Sequence, residues 1–200
     1  MSEAKEAPMS QLGLQICSQI GSVFTQPTST PPPLDTLVHE LSNAAKRGAK
    51  VFVYGVGREG LMMKGLCMRL AHLGLSAHCI FDMTTPPISS ADLLLVSAGP
   101  GFFSTVEALC KIAKDSGARV VYVTAQPEAR AAVECGDVVV HVAAQTMAND
   151  GADSKKREVL PMGSLYEGAL FVLFEMVVFK LGECLGQSPD VIRSRHTNLE

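Results

Sequence analysis

The sequence predicts an α/β domain, a three-layer sandwich with a five-stranded parallel sheet between helices. Three observations predict it. Five short runs rich in β-branched and apolar residues succeed one another: Lys50–Tyr54, Ala77–Phe81, Asp92–Ser97, Arg119–Thr124 and Asp137–Val142. Stretches with helical apolar spacing lie between most of them. The runs are near-continuously apolar rather than alternating, as expected of parallel strands covered on both faces.

Each element follows in order. Leu12, Ile16, Ile20 and Val23 mark an amphipathic helix over 10–24. Gln26–Pro33 (QPTSTPPP) breaks it and reads as a linker. Leu34, Leu37, Val38 and Leu41 begin a second helix that should stop near Gly48, a favourable residue just past a helix end. Residues 1–33 therefore read as an N-terminal helix and Pro-rich linker, and 34–200 as the domain. After the first strand, Met62, Leu66, Leu70 and Leu73 share one face of a helix over Arg58–Leu73. Val106, Leu109, Cys110 and Ala113 do the same over Phe103–Ser116, and a shorter helix fits Pro127–Cys135. Beyond the fifth strand, the polar stretch Gln145–Glu158 suits an active-site loop or a disordered surface loop. A long apolar helix starts near Gly163 and a short one near Ser188.

Composition narrows the function classes. Two hundred residues suffice for one domain with a large core. A formal net charge of −3 gives no basic face for nucleic acid. Met1–Pro8 lacks the apolar core of a secretory signal. The most apolar segment, Leu165–Leu181, carries Glu167, Glu175 and Lys180, which argues for a buried helix and against a membrane span. The six cysteines form no C-x-x-C pair and read as small residues, mostly buried, in a reducing, cytoplasmic setting.

Two glycine-rich turns carry the chemistry. Gly55-Val56-Gly57-Arg58-Glu59-Gly60 ends the first strand and opens a helix. As G-x-G-x-x-G it fits a dinucleotide site, which also needs an acid after the second strand; Asp82 is near that place. A second turn, Ser97-Ala98-Gly99-Pro100-Gly101-Phe102-Phe103-Ser104-Thr105, ends the third strand. Two such turns predict one crevice at the carboxyl edge of the sheet, where backbone N–H groups and helix dipoles favour an anion. The plainer alternative is that the glycines only permit tight strand-to-helix turns.

The motifs GVGREG (55–60), MRLAHLG (68–74), TTP (84–86), the turn at 97–105, LPMGSLYE (160–167) and RHTNLE (195–200) occur in an order that resembles the sugar isomerase (SIS) domain family. Within it, the chain is most similar to the 6-phospho-3-hexuloisomerases, from about Leu34 to Glu200. The resemblance implies a flavodoxin-like, doubly wound sheet, no metal or other cofactor, and a homodimer or homotetramer. It also implies metal-independent aldose–ketose isomerisation of a phosphosugar through an enediol, with Glu167 as carboxylate base and His196 as proton-handling histidine. By position, Gly55, Gly57, Arg58, Glu59, Thr84, Thr85, Ser97, Gly99, Gly101, Ser104 and Thr105 become candidate ligand contacts. Lys155, Lys156 and Arg157 either close over an anion or belong to a solvated loop.

The sequence departs from that family at its phosphate grip. The family's G-x-G-R-S-G has Glu59 in place of serine here, and S-G-S-G-x-T is replaced by A-G-P-G-F-F. Ala98 and Phe103 remove hydroxyls, and Pro100 removes a hydroxyl and an N–H. A like-charge pair about 4 Å apart costs on the order of 4 kcal/mol at an effective dielectric near 20, roughly three decades of affinity. Two function classes follow: an isomerase with a rebuilt grip, or a sugar-binding or regulatory protein that keeps the fold without turnover.

Overall fold

The computed structural model describes residues 8–28, 31–149 and 159–199. The elements run α1 (Met9–Val23), α2 (Pro33–Lys46), β1 (Lys50–Gly55), α3 (Arg58–His72), β2 (Ser76–Cys79), β3 (Leu93–Ser97), α4 (Ser104–Asp115), β4 (Arg119–Thr124), α5 (Arg130–Cys135), β5 (Val138–His141), α6 (Ser164–Cys184) and α7 (Pro189–Ser194), with a 3-10 turn at Met147–Asn149.

The five strands form one parallel sheet in the order β2-β1-β3-β4-β5. Alternate residues of each strand feed opposite faces, as the two-residue period of a strand requires. Val51, Val53, Leu93, Leu95, Val121 and Val123 join the core under α2, α3 and α6. Phe52, Leu94, Val96, Val120 and Tyr122 join a second core under α4 and α5. Both faces are buried, which explains why the strands read as unbroken apolar runs. Val23, at the end of α1, reaches the first core.

Some boundaries differ from expectation for local reasons. The second strand stops at Cys79 instead of Phe81, because Phe81 takes φ +74, a left-handed conformation that ends pairing. The third and fifth strands are shorter by a residue or two, and α5 begins at Arg130 because Gln126–Ala129 closes a turn, Ala129 N donating to the Gln126 carbonyl at 3.0 Å. Cys67, Cys110 and Cys135 are buried as expected, Cys79 is half-buried, and Cys17 and Cys184 are exposed; all six are free thiols. No helix among the described residues is long and apolar enough to cross a membrane.

The strand order opens a crevice beside the two glycine-rich turns. From β1 the chain passes to β2 on one side and then returns to β3 on the other. The order reverses between β1 and β3, and loops leaving neighbouring strands in opposite directions open a crevice at their carboxyl ends. Gly55 pairs with Ser97 across those two strands, so the two glycine-rich turns lie side by side.

Candidate active site

The first turn is shaped by close backbone approach. Gly57 takes φ +60 and ψ −129 as it leads into α3, a conformation suited to glycine. A Cβ on Gly60 would lie 2.5 Å from the Gly55 carbonyl oxygen, so the entry to α3 presses directly on the end of β1. This launches α3 at once and sets Arg58 and Glu59 in its first turn, over the crevice.

The second turn is held from below by β4. The Tyr122 hydroxyl donates to the Gly101 carbonyl at 3.1 Å, and the Thr124 hydroxyl to the Gly99 carbonyl at 3.3 Å. Ala98 N donates to Val123 O at 3.0 Å, and Ala125 N to Gly99 O at 3.1 Å. The backbone of this turn is thus a fixed surface, with the Gly99 N–H aimed at the crevice.

That N–H meets Glu59. It donates to both carboxylate oxygens of Glu59, at 3.1 and 3.0 Å, and the Ser97 hydroxyl donates to Oε2 at 2.6 Å. Tyr166 Oη lies 3.2 Å from Ser97 Oγ; since the single Ser97 proton goes to Glu59, Tyr166 is the donor of that bond. A relay therefore runs from Tyr166 through Ser97 to the Glu59 carboxylate. Burial pushes the Glu59 carboxyl above the usual carboxylate range; the Ser97 hydroxyl and Gly99 N–H oppose this, and the nearby charge of Glu167 adds to it.

Arg58 turns the other way. Its Nη1 donates to Ser164 Oγ at 2.8 Å and its Nη2 to the Met162 carbonyl, at the entry to α6. Nη2 also lies 3.2 Å from Glu167 Oε2, an ion pair without hydrogen-bond alignment. That oxygen is buried and has no hydrogen-bond donor among the described residues. Burial raises the Glu167 carboxyl, with Arg58 and the backbone N–H of Glu167 acting against it. A carboxylate at a cleft with a raised proton affinity and an oxygen without a hydrogen-bond donor can take a proton from a bound molecule.

These groups line a cleft of about 280 Å³, with Val56, Pro100, Phe103, Thr146, Met147 and Tyr166 completing its wall. Among the sequence candidates, Gly57, Arg58, Glu59 and Glu167 border it directly. Ser97 is fully buried beneath Glu59, and Gly99 backs it through its N–H. Gly101 is buried and faces Gln126 and Ala129. Ser104 and Thr105 are exposed in the first turn of α4. Gly55 borders a separate depression beside Phe81. Thr84 is exposed beyond β2, and the Thr85 hydroxyl is spent on the Cys79 carbonyl at 2.7 Å. Lys155, Lys156 and Arg157 lie outside the described residues.

His196 is at the far edge of the sheet within one chain. Its ring stacks on His72, with centroids 5.3 Å apart, at the last residue of α3. Arg58 and Glu167 stand at the first turn of that 15-residue helix, about 20 Å away at 1.5 Å per residue. Reasoning from the sequence also missed Tyr166 and Ser164. Both lie within the LPMGSLYE motif, and a tyrosine beside the candidate base was the available signal.

No protein-family model matches the chain. It is 34% identical over 203 residues, covering 100% of both chains, to a 3-hexulose-6-phosphate isomerase of Mycobacterium gastri. It is 30% identical over 151 residues, 76% of this chain and 80% of the relative, to one of Bacillus subtilis (strain 168). Among solved structures it superposes on a Methanococcus jannaschii protein from whose structure a 3-hexulose-6-phosphate isomerase function has been inferred. There the TM-score is 0.76 and the identity 25%, covering 96% of this chain and 100% of the other.

Proposed function

Because the chain belongs to the 3-hexulose-6-phosphate isomerase family of sugar isomerase proteins, we propose that it isomerises a hexulose phosphate by moving a proton between adjacent carbons, with Glu167 as the base. The observation that carries this reading is that Glu167 borders the cleft while its Oε2 has no hydrogen-bond donor among the described residues and lies 3.2 Å from Arg58.

That geometry supports proton transfer through an enediol. Ionised Glu167 removes the proton from a carbon that bears a hydroxyl and adjoins a carbonyl. The electron pair forms the C=C bond of an enediol, and the former carbonyl oxygen gains a proton. Glu167, now protonated, returns a proton to the other carbon, and the carbonyl reforms on its neighbour. In a 3-hexulose the carbonyl is internal, so the same shift relocates a ketone within the chain of carbons. Arg58 keeps Glu167 ionised more readily than burial alone would allow. In this reading His196 moves the hydroxyl proton in the cleft of a second copy, since its own cleft lies at the other edge of the sheet.

A second reading, a sugar-binding protein without turnover, is favoured by one observation: Glu59 already accepts the Gly99 N–H and the Ser97 hydroxyl. Steady-state assay with a 3-hexulose 6-phosphate separates the two. Wild type turns it over, and Glu167→Gln lowers kcat by about 10²–10⁴-fold, the usual contribution of a positioned base. Equal turnover by the two proteins overturns the assignment of Glu167. No turnover by wild type favours the second reading.

A further inference from the structure

The Glu59 carboxylate behaves as a ligand that the protein carries with it. Glu59 is 5% exposed, and its oxygens accept the Gly99 N–H and the Ser97 hydroxyl, the donors that the 97–101 turn presents to the crevice. Tyr166 backs the Ser97 hydroxyl from a fully buried position. The packing is closed around this arrangement. A Cβ on Gly99 would lie 2.8 Å from the Tyr166 ring and 3.1 Å from Glu59 Oε1, so carboxylate, ring and turn are in mutual contact. The adjacent cation offers Glu59 little: Arg58 donates to Ser164 and Met162 and pairs with Glu167, and its charge is the smallest of the influences on the Glu59 carboxyl.

One set of donors holds one anion at a time. A phosphate monoester carries close to two negative charges at neutral pH and needs several donors for its oxygens. At this turn it would meet a carboxylate already in place, a second carboxylate at Glu167, and Pro100, which has no N–H to give. Val56, Phe103 and Met147 make much of the remaining wall apolar, beside Thr146 and the committed Arg58.

We propose that Glu59 is a specificity-determining residue: its carboxylate permanently fills the anion position of the 97–101 turn, so the cleft takes the uncharged hydroxyl face of a sugar there and turns a phosphate away. This rests on the reading of the cleft as a sugar isomerase site. It places a phosphosugar with its phosphate away from the turn, and it makes the cleft nearly indifferent to whether the sugar is phosphorylated.

The test uses inorganic phosphate, fructose and fructose 6-phosphate as probes in calorimetric titrations at fixed ionic strength. Wild type binds fructose and fructose 6-phosphate within about ten-fold of each other, and inorganic phosphate no better than chloride. Glu59→Ala frees the Gly99 N–H and Ser97 hydroxyl, and phosphate affinity rises about 10- to 100-fold, the worth of one or two hydrogen bonds to a charged group. The ratio of fructose 6-phosphate to fructose affinity rises by a similar factor. Ser97→Ala added to Glu59→Ala reduces the gain, which locates it at the turn. Glu59→Gln keeps the shape of the side chain without its charge. It serves if the alanine variant does not fold, and it raises phosphate affinity by a smaller factor than alanine. Phosphate binding by wild type as tight as by both variants overturns the proposal, as does a gain that Ser97→Ala leaves undiminished. These titrations do not depend on turnover, so they give their answer whether or not wild type isomerises a 3-hexulose 6-phosphate.

Discussion

Glu59 and Glu167 both lose water on folding, and burial raises both carboxyls above their ordinary value of 4.5. Their partners separate them. Glu59 accepts from a backbone N–H and a hydroxyl, which commits its oxygens to the fold. Glu167 keeps an oxygen without a donor and is balanced by the charge of Arg58. The proposed base must be ionised to work, so activity is expected to fall with acid as Glu167 takes up its proton, with the acid limb of kcat/KM displaced upward from 4.5. Arg58 lowers that value by stabilising the anion. Arg58→Gln therefore moves the acid limb to higher pH, and a pH–rate profile checks it; an unmoved limb means that Arg58 does not tune the base. The sequence displayed both acids and both neighbours. It did not display their roles, because the donors to Glu59 come from residues 38 and 40 positions away. Only the register of β1 against β3 brings them within reach. The charge of Glu59 read as a repulsion at an open site, whereas its side chain is itself the occupant.

At the scale of the elements, the turn after β1 holds the closest backbone approach among the described glycines, and it makes a prediction in which two effects compete. Alanine is a better helix former than glycine by about 1 kcal/mol, which favours Gly60→Ala in the first turn of α3. The new Cβ would lie 2.5 Å from the Gly55 carbonyl oxygen, which is backbone and cannot swing aside. Such overpacking costs about 1–3 kcal/mol or more, so the clash wins. Gly60→Ala is expected to lower the urea midpoint at an unchanged slope; a raised midpoint means that α3 tilts freely away from β1. The same join shows what was legible beforehand. Apolar runs of β-branched residues revealed all five strands, and the glycine pattern revealed where the chain turns back into helix. Strand ends were less legible, because an end depends on one residue's backbone: Phe81, apolar and β-favouring, takes φ +74 and ends β2.

For the whole molecule, α6 joins the site to the surface. Its first turn carries Tyr166 and Glu167, and its middle packs Leu170, Leu173 and Val177 into the core. Phe171 and Phe179, 58% and 64% exposed, leave apolar surface on its outer side, an arrangement that suits contact with a second copy. The sequence made α6 legible as a buried helix but not which residues face outward, since it is apolar on nearly every side. A site shared between copies would unite Glu167 of one with His196 of another. Mixing Glu167→Gln with His196→Asn subunits by denaturing and refolding them together then restores about a quarter of wild-type activity, because half of random dimers are mixed and hold one intact site of two. Activity that stays at the level of the single variants would put the two residues to separate uses. The most direct test of the central claim is turnover of a 3-hexulose 6-phosphate by the wild-type protein in deuterium oxide, followed by NMR of the carbon skeleton. Glu167 borders the cleft with its side chain 16% exposed, so exchange of its acid proton with solvent between turnovers is expected. Conversion to the isomeric hexulose with deuterium at the carbon that receives the proton is therefore expected. Absence of both conversion and deuterium at millimolar substrate would contradict that claim.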